Sequence, residues 1–244
     1  MLRRDPYWSI YALGDLDPRR AGFCEWIVEP ETGSVLLLYR EFSMPIVVAM
    51  GDPSILDRVA DLAAPCFFQI PEHFFARLEG QRPLEWKRRM IRFRLEAVDF
   101  RASTKNRGVA PRRLTAADHD ALVALYADGE STGETPDFYM RSQLDDGAFF
   151  GVEDENGALA AAGGTHLVSR SQSVAAIGNV YTARAHRGRG FAKSVTSAIA
   201  GHLLDQGIRT IALNVKREND AAIRIYEQLG FRRHCDYWEA FAGK

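Results

Sequence analysis

The chain has 244 residues, 46% of them apolar, with 31 Lys and Arg against 32 Asp and Glu, for a formal charge of −1. That length suits one large domain or two small ones, each with its own core. The balanced charge argues against a nucleic-acid partner, which calls for a basic surplus. No stretch approaches the ~20 apolar residues of a membrane span, and the opening Met1-Leu2-Arg3-Arg4-Asp5-Pro6 lacks the apolar run of a secretory signal. Cys24, Cys66 and Cys235 are odd in number and far apart, which fits neither a zinc site nor a disulfide framework. The expectation is a cytoplasmic protein with free thiols, no metal, and no nucleic-acid or membrane partner.

The first half is less regular than the second. Residues 27–29, a turn at Glu31-Thr32-Gly33 and residues 35–42 predict a hairpin, and 45–50 a further strand. Residues 54–63 place Ile55, Val59 and Leu62 on one helical face. Residues 84–98 suit a strand pair or a helix, and periodicity does not decide between them. The Arg-rich runs 86–94 and 101–113 read as a solvated strand face and a linker. Residues 101–111, with Gly108 and Pro111, are that linker or exposed crossover. This half reads as a smaller α/β domain (residues 1–100). Its aromatic residues, Trp8, Phe67, Phe68 and Phe74 among them, are expected to fill core or to help line a pocket for the substrate.

After the linker the signals sharpen. Thr115-Ala116-Ala117-Asp118 forms a capping box ahead of a helix through Leu122, Leu125 and Tyr126. Thr135-Pro136 predicts the start of a second helix, with Pro at its first position. Strands follow at 148–153, 159–168 and 174–182, separated by turns at 154–157 and 169–173. Phe191, Val195, Ala198, Ile199, His202 and Leu203 keep a 3.6-residue period up to Gly207. Ile211, Leu213 and Val215 alternate as a buried strand, a helix over 220–229 stops at Gly230, and a last strand starts at Phe231. The order β-α-α-β-β-β-α-β-α-β predicts an α/β fold with a mixed sheet.

The chemistry concentrates in two runs. In the first, Gly178-Asn179-Val180-Tyr181-Thr182 leads to Arg187-Gly188-Arg189-Gly190-Phe191-Ala192, so a buried strand passes into a glycine-dense loop that opens a helix. Free N–H groups at a helix start, with the helix dipole, make an anion site, and glycines let main chain approach a phosphate. A pyrophosphate-bearing cofactor is the natural ligand. No Gly-Lys-Ser/Thr follows, as a P-loop requires, and Lys193 stands where a dinucleotide fingerprint has its third glycine. In the second run, Asn219 is an N-cap residue by type, Ala222 and Tyr226 share its helix face, and Leu229-Gly230-Phe231 closes the helix.

The pattern Arg-x-x-Gly-x-Ala at a strand-to-helix junction, followed by the Asn219 to Phe231 run, resembles the GNAT superfamily of acyl-CoA N-acyltransferases. The likeness covers roughly residues 111–244. It implies a C-terminal GNAT fold (residues 112–244) whose fourth strand splays from the fifth. Acetyl-CoA or another acyl-CoA would lie in the gap, against the main chain of Val180, Tyr181 and Thr182. Its pyrophosphate would meet the amides of Arg187, Gly188, Arg189, Gly190, Phe191 and Ala192, with Asn219 and Ala222 beside the cofactor. Tyr226 would protonate the leaving thiolate while a small-molecule or protein amine attacks the thioester directly. Candidates for the base are Glu130, Glu134 and His166, and Asn179 is placed to orient a water. The two-part layout resembles tandem and glycine-N-acyltransferase-like members, in which the first half is diverged and lacks the cofactor loop. The rival expectation is a non-catalytic acyl-CoA sensor of the same fold, and a homodimer is open.

Overall fold

The computed structural model describes residues 1–59, 62, 65–103 and 110–243. In chain order the first elements are α1 (Ile10–Gly14), β1 (Cys24–Glu29), β2 (Ser34–Tyr39), β3 (Ile46–Met50), β4 (Cys66–Pro71), α2 (Phe75–Gln81) and β5 (Trp86–Leu95). Then come β6 (Arg112–Arg113), α3 (His119–Ala127), α4 (Ser142–Asp146), β7 (Phe150–Glu153), β8 (Leu159–Ser169) and β9 (Val174–Thr182). The chain ends with α5 (Phe191–Asp205), β10 (Thr210–Lys216), α6 (Asp220–Gln228) and β11 (Arg232–Ala242). Two compact units result. One comprises Met1–Arg92, Val215–Asn219 and Arg233–Lys244, and the other Phe93–Asn214 and Asp220–Arg232. Among the described residues, no helix is long and apolar enough to cross a membrane.

In the first unit β1, β2 and β3 form an antiparallel meander, β4 joins β3 in parallel, and β11 pairs antiparallel with β4. Successive β2 side chains point to opposite faces, and both faces are filled. Leu36 and Leu38 join Val47, Phe68 and Phe74 on one side, while Val35 and Leu37 join Trp8, Val48 and Tyr237 on the other. The Trp8 indole N–H donates to the carbonyl of Ala49 at 3.1 Å. These aromatics therefore pack this unit's own core. The predicted helix over 54–63 is a 3-10 turn, Pro53–Val59, that buries Ile55, Leu56 and Val59. Positions 60, 61 and 63 lie outside the described residues, as do 104–109 of the predicted linker.

Residues 84–98 resolve as a single strand, β5, followed by a 3-10 turn. It is not wholly the solvated face expected from its arginines, because Arg92 is fully buried. Its guanidinium donates to the carbonyl of Trp8 and lies 4.6 Å from the Trp8 ring and 5.0 Å from that of Tyr237. Those partners offset the cost of burying a cation.

Asp15, at the C-terminal end of α1, is buried with Arg20 3.8 Å away. Burial pushes its carboxyl up to about 7, against the pull of Arg20 and with the push of Glu41. A carboxyl whose folded pKa is raised stabilises the fold most below its unfolded value of about 4, and that stability is lost as pH rises towards 7. Asp15→Asn should therefore raise Tm relative to wild type at about pH 8, by a term with a ceiling of about 4 kcal/mol, and much less at about pH 4. Thermal melts at the two pH values check this, and an equal gain at both would refute it.

In the second unit β6, β7, β8 and β9 are antiparallel neighbours and β10 joins β9 in parallel. The Thr115 box forms, its N–H donating to the Asp118 carboxylate at 2.8 Å. Leu122, Leu125 and Tyr126 of α3 pack with Phe149, Ala162 and Tyr181. Pro136 does not open a helix. The chain stays irregular there, with Phe138 at φ 64°, and α4 starts at Ser142. The order of elements from β7 to β11 (three antiparallel strands, a helix, a parallel strand, a helix, a strand) repeats that of β1 to β5. In the first unit the 3-10 turn stands where α5 stands in the second.

Candidate functional site

The parallel pairing of β9 with β10 runs from Val174↔Thr210 to Ile177↔Leu213 and stops there. β9 continues to Thr182 on β8 alone, with Ala162↔Tyr181 and Ala161↔Thr182. One main-chain edge of residues 178–182 is thus released from the ladder, and backbone N–H and C=O groups need partners. The break coincides with Asn179, which has a left-handed φ of 55°. β8 shifts register opposite it, between Ala162 and Gly164 and between Thr165 and Leu167. Bulges of this kind end pairing and re-aim side chains. Here they put His166 beside Asn179, with Nε2 and Oδ1 3.1 Å apart.

Beyond Thr182 a 3-10 turn, Arg184–His186, leads to Arg187 and to the start of α5. Gly188 and Gly190 have φ of 76° and 77°, the left-handed region that a side chain disfavours. Gly190 is the N-cap of α5, which has no side-chain cap and no acidic residue in its first turn. The first-turn N–H groups and the positive end of a 15-residue helix therefore face outward together. The Thr182 hydroxyl is buried next to this loop without a hydrogen-bond partner. The open strand edge, this orphaned hydroxyl and the uncapped helix start fit a ligand with an amide-bearing arm and a pyrophosphate, which is the chemistry of CoA. Among the described residues, no cluster of His, Cys, Asp and Glu is arranged to hold a metal.

The site's charged groups are partly committed to each other. Arg187 donates to both oxygens of Glu134 (3.3 and 2.9 Å) and to the Thr182 carbonyl at 3.4 Å. The hydrogen bonds of Arg187 and Thr132 hold the Glu134 carboxyl below the usual range. Arg189 lies 3.0 Å from the His186 ring and 4.7 Å from the Phe191 ring. Glu130 is exposed in the turn Glu130–Thr132. His166 is half-buried, and burial pulls its pKa down, partly offset by Asn179 and Asp137, so its ring is neutral near pH 7.

Tyr226, on α6, is buried between the rings of Phe93 (6.2 Å) and Phe231 (6.0 Å). Burial pushes its hydroxyl up to about 12, so it is a donor throughout the physiological range. α6 is tied to α5 by Lys193, whose ammonium donates to Gln228 at 2.9 Å. Asn219 precedes α6, its N–H donating to the Lys216 carbonyl at 3.0 Å, and Ala222 lies in the first turns of that helix.

Three residues that the sequence did not single out as site residues support this arrangement. Asp128 accepts from the Tyr181 hydroxyl and the Arg184 N–H, both at 2.9 Å. The Tyr126 hydroxyl donates to the carbonyl of Asn179 at 2.7 Å. Gln143 accepts from the Asn179 amide at 3.1 Å. Each acts across a separation that no local pattern reveals.

A model of the acetyltransferase (GNAT) family matches residues 112–231. The chain is 28% identical over 154 residues to a mycothiol acetyltransferase of Renibacterium salmoninarum, covering 60% of this chain and 44% of that one. It is 30% identical over 162 residues to a mycothiol acetyltransferase of Thermobispora bispora, covering 61% and 53%. The chain thus spans about half the length of these curated relatives. The fold is shared with a GCN5-related N-acetyltransferase from Kribbella flavida at 17% identity, with a TM-score of 0.68 over 98% of this chain and 95% of that one. It is also shared with a tandem GNAT protein from the clavulanic acid biosynthesis pathway at 14% identity, with a TM-score of 0.58 over 85% and 78%. With the splayed strands and the glycine loop inside the matched segment, residues 112–231 match the GNAT acetyltransferase family.

Proposed function

We propose that this protein transfers an acyl group, acetyl by preference, from acyl-CoA to the primary amine of a small molecule. The observation that carries the reading is the released edge of β9 running into the uncapped start of α5. The main chain of Val180, Tyr181 and Thr182 would hold the amide-bearing arm. The amides from Arg187 to Ala192 would hold the pyrophosphate, with Asn219 and Ala222 along the cofactor. Bound acyl-CoA supplies the activated thioester, and the protein's part is to position it, to free the amine of a proton and to stabilise the departing thiolate. Tyr226 suits the last role as a buried, protonated donor.

For the base, His166 is best supported. It is neutral near pH 7 and lies at the splay point, whereas Glu134 is engaged by Arg187 and Glu130 is solvated. The relatives named mycothiol acetyltransferases favour a small-molecule acceptor over a protein one. Among its described residues the N-terminal unit offers no second site of this kind. At the corresponding strand end, the Asp52 N–H is taken by Ser34 at 2.8 Å and the Ser54 N–H by Asp52 at 2.9 Å.

A thiol-release assay with acetyl-CoA over a panel of small amines tests the proposal. Turnover is expected, with kcat falling about tenfold in His166→Ala and by no more than about threefold in Glu134→Gln, against the ~10²–10⁴-fold that general acid–base catalysis is typically worth. Saturable CoA binding without thiol release for any amine would make the protein a sensor. A collapse of kcat in Glu134→Gln alone would move the base to Glu134.

A further inference from the structure

The two amides beside His166 are wired in one direction only. Gln143 is buried in α4, and its Oε1 accepts from the Met140 N–H at 3.2 Å while its Nε2 donates to the Phe138 carbonyl at 3.0 Å. An N–H can only donate and a carbonyl can only accept, so these main-chain partners fix which end of the Gln143 amide is oxygen. Asn179, also buried, must then turn its NH2 towards Gln143 Oε1 (3.1 Å). Its Oδ1 faces His166 Nε2 at 3.1 Å, and an amide oxygen accepts only. The ring nitrogen opposite it therefore carries the hydrogen.

We propose that Gln143 acts through Asn179 as a positioning residue that holds His166 in the Nε2–H tautomer, so that Nδ1 is the nitrogen that accepts the proton of the amine. This rests on the reading of His166 as the base. Each link is anchored by backbone: the loop 138–140 sets Gln143, and the Tyr126 hydroxyl grips the Asn179 carbonyl at the bulge. Gly178 completes the seat, because a Cβ there would overlap the His166 ring. The ring thus lies on the first β9 residue beyond the last β9–β10 pair. Loss of the relay removes the oriented acceptor that holds the hydrogen on Nε2, and any Nδ1–H population presents an N–H where the amine needs a lone pair. The proton balance is simple. Nδ1 takes one proton, directly or through a water, and the imidazolium formed keeps its Nε2–H bond to Asn179. Asp137 is the charged group whose field reaches this ring.

The test is nitrogen NMR of the full chain, with nitrogen-15-labelled histidine, at about pH 8. His166 is assigned by the signals lost in His166→Gln. Wild type should show a single Nε2-protonated tautomer, and an Nδ1–H tautomer or a mixture overturns the proposal. In Gln143→Leu the Asn179 amide loses the acceptor that orients it, so an Nδ1–H population should appear and kcat should fall about two- to threefold, in proportion to the tautomer lost and short of the loss in His166→Ala. Gln143→Glu should restore both. At that pH its carboxylate keeps an acceptor for the Asn179 amide and the Met140 N–H, which is what orients Asn179. A pure Nε2–H tautomer in Gln143→Leu would remove Gln143 from the relay. The two readings fail separately: the predicted tautomer with an unchanged kcat in His166→Ala would leave the relay standing and dismiss the base.

Discussion

Gly190→Asp is expected to abolish CoA binding. Gly190 caps α5 at φ 77°, and a side chain in the left-handed region costs on the order of 1–2 kcal/mol. The larger effect is electrostatic. The substitution brings a carboxylate to the helix start, where it competes for the same N–H groups and repels a pyrophosphate at close range. Asp is a favourable N-cap by type, so α5 itself should survive with a lower Tm. Saturating CoA should stabilise the wild type by ~2.7 kcal/mol at a hundredfold excess over Kd. The Asp variant should show no thermal shift at all. Gly190→Ala separates the two causes, since it carries the backbone strain without the charge and should keep a reduced shift. A full shift in the Asp variant would remove the loop from the cofactor site.

What was legible in the sequence was local. The loop from Arg187 to Ala192 announces itself because glycines at left-handed φ and a following helical period are neighbours in the chain, and β9 keeps the predicted limits 174–182. Pro136 misled because the first-turn preference of proline is a local statistic. Here Thr135 spends its hydroxyl on the Tyr126 carbonyl (3.2 Å), and the segment is tied to α3 instead of starting a helix. In the first half, β4 is a short, wholly buried run, Cys66-Phe67-Phe68-Gln69-Ile70, with no alternation to betray a strand. β5 hides its character in the same way, because Arg92 looks solvated by type and is caged by aromatics in fact. Asp128, Tyr126 and Gln143 reach their partners over 53, 53 and 36 residues, so only the folded chain identifies them. His166 and Asn179 were visible as residue types. That they meet depends on the two register shifts in β8, which alternation alone does not reveal.

Tyr226→Phe is expected to lower kcat by up to about 10²-fold, the low end of what general acid catalysis is worth, and to leave CoA affinity nearly unchanged. The pKa of the hydroxyl decides the size of the effect. Burial pushes it up to about 12, whereas a free thiol titrates near 8.5. Full proton transfer from Tyr226 to the thiolate would therefore run uphill by about 5 kcal/mol, at ~1.4 kcal/mol per pH unit. Tyr226 should instead donate a hydrogen bond that strengthens as charge gathers on sulfur, and a charge-assisted bond of this kind is worth about 1.5–3 kcal/mol. That interaction exists mainly in the transition state, so kcat and kcat/KM should fall together while Kd for CoA holds. Phe preserves the packing against Phe93 and Phe231, so Tm should move little. The same reasoning predicts a flat kcat profile through pH 7 to 10 on the acid side of the mechanism, since Tyr226 stays protonated throughout. Steady-state kinetics with CoA binding measured separately checks all three. An unchanged kcat, with the chemical step shown to be rate-limiting, would make Tyr226 a packing residue of α6.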